Sequence, residues 1–153
     1  MYYSLLIINY SLFTKIQFFK CILFNLSPIN FIFKGVFMSQ SILIQTSLKF
    51  SAKIIKLQQY LLKEKKETII SKQIIRSATS IGANINEANY GSSKADFIAK
   101  IHIALKECAE TEYWIRLLKE AEYISVESFN ALIYDCLSIK KMLVSTLNTA
   151  KNR

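Results

Sequence analysis

Residues 75–118, IRSATSIGANINEANYGSSKADFIAKIHIALKECAETEYWIRLL, decide the fold, because they read as two long amphipathic helices joined by one tight, capped turn. On the first helix Ile70, Ile74, Ala78, Ile81, Ile85 and Ala88 recur at spacings of three and four, which gathers them on one narrow face that has to be buried. Gly91 then suits the left-handed position after a helix end, and Ser93 to Asp96 has the form of a capping box with Asp in place of the usual Glu. On the second helix Phe97, Ile101, Ala104, Cys108, Thr111, Ile115 and Leu118 step alternately by four and three, the seam of a heptad repeat.

Working outward, Phe129, Leu132, Cys136, Ile139 and Leu143 repeat the same seam toward the C-terminus. Past Met38 there is no proline, the only glycines are Gly82 and Gly91, and no segment sustains strand-like alternation. The pattern predicts four helices over residues 43–64, 68–89, 94–121 and 126–149. A 3.5-residue repeat favours packing near about +20°, and short connections force each helix to reverse on its neighbour. The fold class expected is all-α, an antiparallel up-down-up-down four-helix bundle. Small residues Ala104, Cys108 and Thr111 midway along a seam should let a neighbouring helix approach closely there.

The first helix carries more apolar surface than such a bundle needs. Ile44, Leu48, Ile55 and Leu62 share one face, whereas Leu43, Phe50, Ile54, Leu57 and Leu61 lie roughly 120° away on a helical wheel. Two readings fit: one face for the core and one for a partner, or a single wide buried stripe with Ser51 and Gln58 near its middle. The remaining arc aligns Lys49, Lys53, Lys56 and Lys63 with Tyr60 among them, a basic row able to track a phosphate backbone or simply to be solvated.

Residues 1–37 differ from the rest. They hold Lys15, Lys20 and Lys34 but no acidic residue, seven of the ten phenylalanines and the only proline, Pro28. Lys15 and Lys20 interrupt any apolar run near the roughly 18–20 residues of a spanning helix, and no basic start or small-residue cleavage site marks a secretory signal. The domain reading is therefore residues 1–37 as a non-native extension, disordered or marginally helical, ahead of a start at Met38, and residues 38–153 as the bundle. No membrane role is expected, and the cytoplasm is the expected location.

Of the 20 basic residues 17 lie beyond the extension, against all 11 acidic ones, so the body keeps a formal charge of +6. Polyanions are natural partners for such an excess. Cys21, Cys108 and Cys136 are too few and scattered for a disulfide framework, and Cys108 and Cys136 fall in apolar stripes as free thiols would.

Beside its apolar face the second helix bears a polar seam of Gln73, Arg76, Ser77, Ser80, Asn84 and Glu87. Hydrogen bonds between helices explain such a seam better than a ligand site, with Asn84 and Glu87 placed to meet Lys94 or Lys100. Glu107, Glu110 and Glu112 raise a carboxylate metal site, but the Glu-x-x-His motif this needs is missing, since Ala99 stands three residues before the only histidine, His102. Without a Gly-rich phosphate loop, a nucleophile elbow or a Cys/His pair, no enzyme, cofactor or metal is expected.

The segment Arg76 to Leu118, above all SIGANINEA, SKADFIAK and the EYWIRLL stretch, resembles the hallmark of the four-helix bundle proteins encoded in intervening sequences of bacterial 23S ribosomal RNA genes. The likeness extends more loosely from about Leu48 to Leu147. A common family form is S-I-P-A-N-I-A-E-G, where this chain has Gly82 for Pro and Ala88 for Gly. The family is similar to the accessory protein of diversity-generating retroelements, a basic homopentamer that binds nucleic acid and a reverse transcriptase. The resemblance thus implies a homo-oligomer, a pentamer by preference, in contact with RNA or DNA, and it carries over no catalytic residue. The competing expectation is a protein-docking scaffold with no nucleic-acid role.

Overall fold

The structure is a computed structural model that describes the backbone of residues 29–152 and the side chains of residues 42–152. Its four helices are α1 (Ile29–Lys63), α2 (Ile70–Ala88), α3 (Lys94–Glu120) and α4 (Val126–Lys151), with no strand among the described residues. The chain divides between Gln40 and Ser41, and the helical unit from Ser41 onward is described by itself.

Each helix contributes one seam to the core. On α1 it is Leu43, Ser47, Phe50, Ile54, Leu57 and Leu61, stepping by four and three. Ile74, Ala78, Ile81, Ile85 and Ala88 answer from α2, Ile101, Ala104, Cys108, Thr111, Ile115 and Leu118 from α3, and Leu132, Cys136, Ile139, Leu143 and Leu147 from α4. Ile70, Phe97 and Phe129 lie at the rim, half-buried against this cluster. A fully buried Leu, Ile or Phe stabilises by about 1.5–3 kcal/mol, whereas an exposed ion pair gives about 0–1 kcal/mol. The seams, and not the surface charges, therefore carry the stability.

Contacts between helices set their directions. Arg76, Ser77 and Glu87 of α2 meet Glu110, Thr111 and Lys100 of α3, so partners descend one helix as they ascend the other. Ser51 Oγ donates to the Ala78 carbonyl at 3.2 Å, and Gly82, one turn further along α2, lies against Ser47, one turn back along α1. These two interfaces are antiparallel. Cys108 and Cys136 meet between α3 and α4, whose five-residue link has to reverse the chain, and Lys53 Nζ to Asp135 Oδ2 at 2.6 Å joins α4 to α1.

Three details depart from the sequence reading. Helix α1 starts at Ile29, directly after Pro28, and not at residue 43: it runs through Met38, so the shift in composition there is no break in secondary structure. The rest of the expected extension, residues 1–28, lies outside the described residues. Gly91 does not adopt a left-handed conformation; the positive-φ residues among those described are Lys66 (54°) and Glu122 (57°). Space is what requires Gly91, since a Cβ there would stand 3.1 Å from the Phe97 nitrogen and 3.2 Å from the Ala88 carbonyl oxygen. The capping box at α3 is shifted as well: Ser93 Oγ accepts from the Asp96 N–H at 3.1 Å, but the Asp96 carboxylate reaches back to the Ser92 N–H at 3.0 Å.

Candidate nucleic-acid interface

Helix α1 presents three lengthwise strips because lysine, leucine and isoleucine recur along it at heptad spacing. The core strip is closed. Beside it Leu48 is 69% exposed and Ile55 42% exposed, while Ile44 and Leu62 are half-buried. The wide-stripe reading therefore holds only for its inner half; the outer half remains open in the single chain. Ser51 and Gln58, at the border between the two, are half-buried.

On the third strip Lys49, Lys53, Lys56, Tyr60 and Lys63 are all exposed. Lys53 is engaged by Asp135. Lys49, Lys56 and Lys63 make no ion pair among the described residues, and at seven-residue intervals they stand about 10.5 Å apart along the axis. The Lys65 ammonium lies 5.9 Å from the centre of the Tyr60 ring, which adds a fourth cation at the C-terminal end of the row. Solvated cations spaced along a rigid rod can bind an extended polyanion, and the ring between them offers a stacking surface.

The polar seam of α2 faces α3. Arg76 Nη2 meets Glu110 Oε1 at 3.0 Å, Glu87 Oε2 meets Lys100 Nζ at 2.6 Å, and the Ser77 and Thr111 hydroxyls, both buried, lie 2.9 Å apart. Asn84 Nδ2 donates back to the Ser80 carbonyl at 2.9 Å and makes no bond to Lys94 or Lys100, while Gln73 and Ser80 are half-buried alongside. The Glu87 carboxylate holds the Lys100 ammonium above its ordinary range. So placed, Arg76, Ser77 and Glu87 join α2 to α3.

The three glutamates of α3 are also divided. Glu110 accepts from Arg76 and from Trp114 Nε1, at 3.2 Å for the latter. Glu112 accepts from Lys140 and Arg116, which hold its carboxyl below the usual carboxylate range. Glu107 has one buried oxygen with no hydrogen-bond partner. No group of three His, Cys, Asp or Glu side chains able to hold a metal occurs among the described residues. Nor is any described helix long and apolar enough to cross a membrane.

One ionic feature escaped sequence reasoning. Glu67, buried before α2, accepts from the N–H groups of Ile69, Ile70 and Ser71 at 2.8, 2.8 and 2.7 Å. Burial alone would raise its carboxyl, but the three backbone donors outweigh this and hold it below the usual range. Ile69, at the cap position itself, has no side-chain oxygen to offer, so Glu67 replaces it.

Against known proteins, the family model described as 23S rRNA-intervening sequence protein matches residues 39–145. Among solved structures, the chain is similar to a protein of unknown function from the S23 ribosomal protein family of Bacteroides thetaiotaomicron. The two are 46% identical, the match covers 72% of this chain and 98% of the other, and the TM-score is 0.71. No curated protein matches.

Proposed function

The chain belongs to the family of 23S rRNA-intervening sequence proteins, and from that premise we propose that it is a non-enzymatic, cytoplasmic homo-oligomer that contacts RNA or another nucleic acid through the lysine edge of α1. The observation that carries this reading is the division of α1 into a closed core strip, an open apolar strip at Leu48 and Ile55, and an open basic strip at Lys49, Lys56, Tyr60 and Lys63. Exposed leucine and isoleucine gain about 25 cal/mol per Å² when another copy covers them. The basic strip lies along the same helix, so association would repeat it. A pentamer is the assembly the family resemblance implies.

Repetition matters for magnitude. Each phosphate neutralised on a single strand steepens the dependence of log affinity on log salt by about 0.7, so Lys49, Lys56 and Lys63 of one protomer give a slope of only about 2. Several copies multiply it. The test is RNA binding across a salt series by the full chain and by Lys49→Glu/Lys56→Glu/Lys63→Glu. Loss of affinity with a shallower salt slope in the variant is the expected result. Unchanged binding refutes the assignment of the edge. An absence of RNA affinity even at low salt, with self-association intact, favours the alternative, a protein-docking scaffold built on the apolar strip alone.

A further inference from the structure

Cys108 and Cys136 sit at facing seam positions of α3 and α4, both fully buried, with their Sγ atoms 3.7 Å apart. Each sulfur also lies close to the other residue's carbonyl oxygen, Cys108 Sγ at 3.4 Å and Cys136 Sγ at 3.5 Å. This two-way approach means that the backbones, not only the side chains, come together here. Ala104, one turn before Cys108, and Thr111 after it make this stretch of the α3 seam small. Lys140, one turn after Cys136 on α4, also reaches Glu112, one turn after Cys108 on α3, at 2.9 Å, a second link between the two helices beside the thiols.

A disulfide requires an S–S distance near 2.05 Å and Cα atoms within about 7 Å. The sulfurs, 3.7 Å apart, are within about 1.7 Å of that bonding distance, and each already lies against the other residue's backbone. We infer that Cys108 and Cys136 form an oxidisable pair that closes into a disulfide staple between α3 and α4 when the protein meets a hydroperoxide. One thiol loses its proton to water, and the thiolate attacks a peroxide oxygen. The O–O bond breaks, the departing hydroxide takes a proton to become water, and the first sulfur is left as a sulfenic acid. The second sulfur then attacks the first. The S–S bond forms as the S–O bond breaks, and the leaving hydroxide carries off the second thiol's proton as water. Two thiols and one peroxide thus give one disulfide and two waters, with sulfur oxidised and peroxide oxygen reduced.

Because neither thiol touches solvent, the peroxide gains entry only through local opening of the α3–α4 seam, so the reaction is slow but selective. The product closes a loop of 27 intervening residues and stabilises mainly by constraining the unfolded chain. The test uses the full chain, alone and with Cys21→Ser to remove the third cysteine. After prolonged incubation with hydrogen peroxide, intact mass should fall by two hydrogens and peptide mapping should join Cys108 to Cys136. The melting temperature should rise by roughly 10 °C and return on reduction. The same treatment in urea should scatter linkages over Cys21 as well. An unchanged mass, gain of oxygen atoms without a crosslink, or a native-state linkage through Cys21 would overturn the inference.

Discussion

Removing the Glu67 carboxylate should cost more than removing any ion pair on the surface of the bundle. Its two oxygens accept three backbone N–H groups at the start of α2, at 2.7–2.8 Å, and the cap residue Ile69 offers no substitute. Hydrogen bonds to a charged group contribute about 1.5–3 kcal/mol each, but the three do not add. Ile69 is 75% exposed, so its N–H can turn to water; Ser71 is fully buried and its N–H cannot. The expected loss is therefore about one buried charged bond plus part of a cap, about 2–3 kcal/mol for Glu67→Ala. Glu67→Gln, which keeps the shape, loses the charge and turns an amide against one donor, should lose about 1–2 kcal/mol.

The pH dependence gives a second check. The carboxyl is held below its unfolded value, so its contribution is fully present above the ordinary carboxylate range and fades as pH falls through the folded value. Urea unfolding of wild type and Glu67→Gln should therefore show a stability gap at neutral pH that narrows in acid. Because other carboxylates are common to both proteins, the difference isolates Glu67. Equal stability near neutrality, or a gap that stays constant into strong acid, would refute the capping role.

Glycine positions give predictions of opposite sign. At Gly82 an added Cβ would meet side-chain atoms at ordinary contact distance, the Ser47 hydroxyl at 3.4 Å, Ser47 Cβ at 3.8 Å and the Ser51 hydroxyl at 3.9 Å, so Gly82→Ala should raise stability by about 0.5–1 kcal/mol through helix propensity, read from the urea midpoint. Gly91→Ala should lower it by about 1–2 kcal/mol in the same assay, because the new Cβ would press on backbone at Phe97 and Ala88. Glu122 holds φ at 57° while the Tyr123 N–H bonds the Leu118 carbonyl and its own N–H bonds that of Lys119, a helix terminus that favours glycine. Glu122→Gly should accordingly raise the melting temperature, by an amount matching about 1 kcal/mol.

The seams were legible because burial imposes a repeat that the sequence has to obey: each seam position named on α3 and α4 is buried or half-buried. The ends of α3 and α4 were legible too, since Ser93 and Ser125 accept hydrogen bonds from the third residue of their helices. Less visible was whatever depends on space or on a distant donor. Glycine at position 91 carries the same letter whether it answers φ or crowding, and only coordinates separate the two. Glu67 was hidden because glutamate is not a customary cap; the nearest hint was a lone acid in KKETII ahead of an apolar run. The early start of α1 was obscured by the weight given to composition, which reports on surroundings and not on backbone. Of the candidate edge, the row of lysines was plain, but the engagement of Lys53 by Asp135 on a helix 82 positions later had no local signal.

The most direct trial of the claim that α1 keeps an apolar strip for a second copy is the mass of the full chain in solution by light scattering, beside Leu48→Asp/Ile55→Asp. The expected result is a multiple of 17.6 kDa for the wild type and a helical single chain for the variant. A wild type that scatters as one 17.6 kDa chain, or a multimer indifferent to charges at both positions, would contradict it.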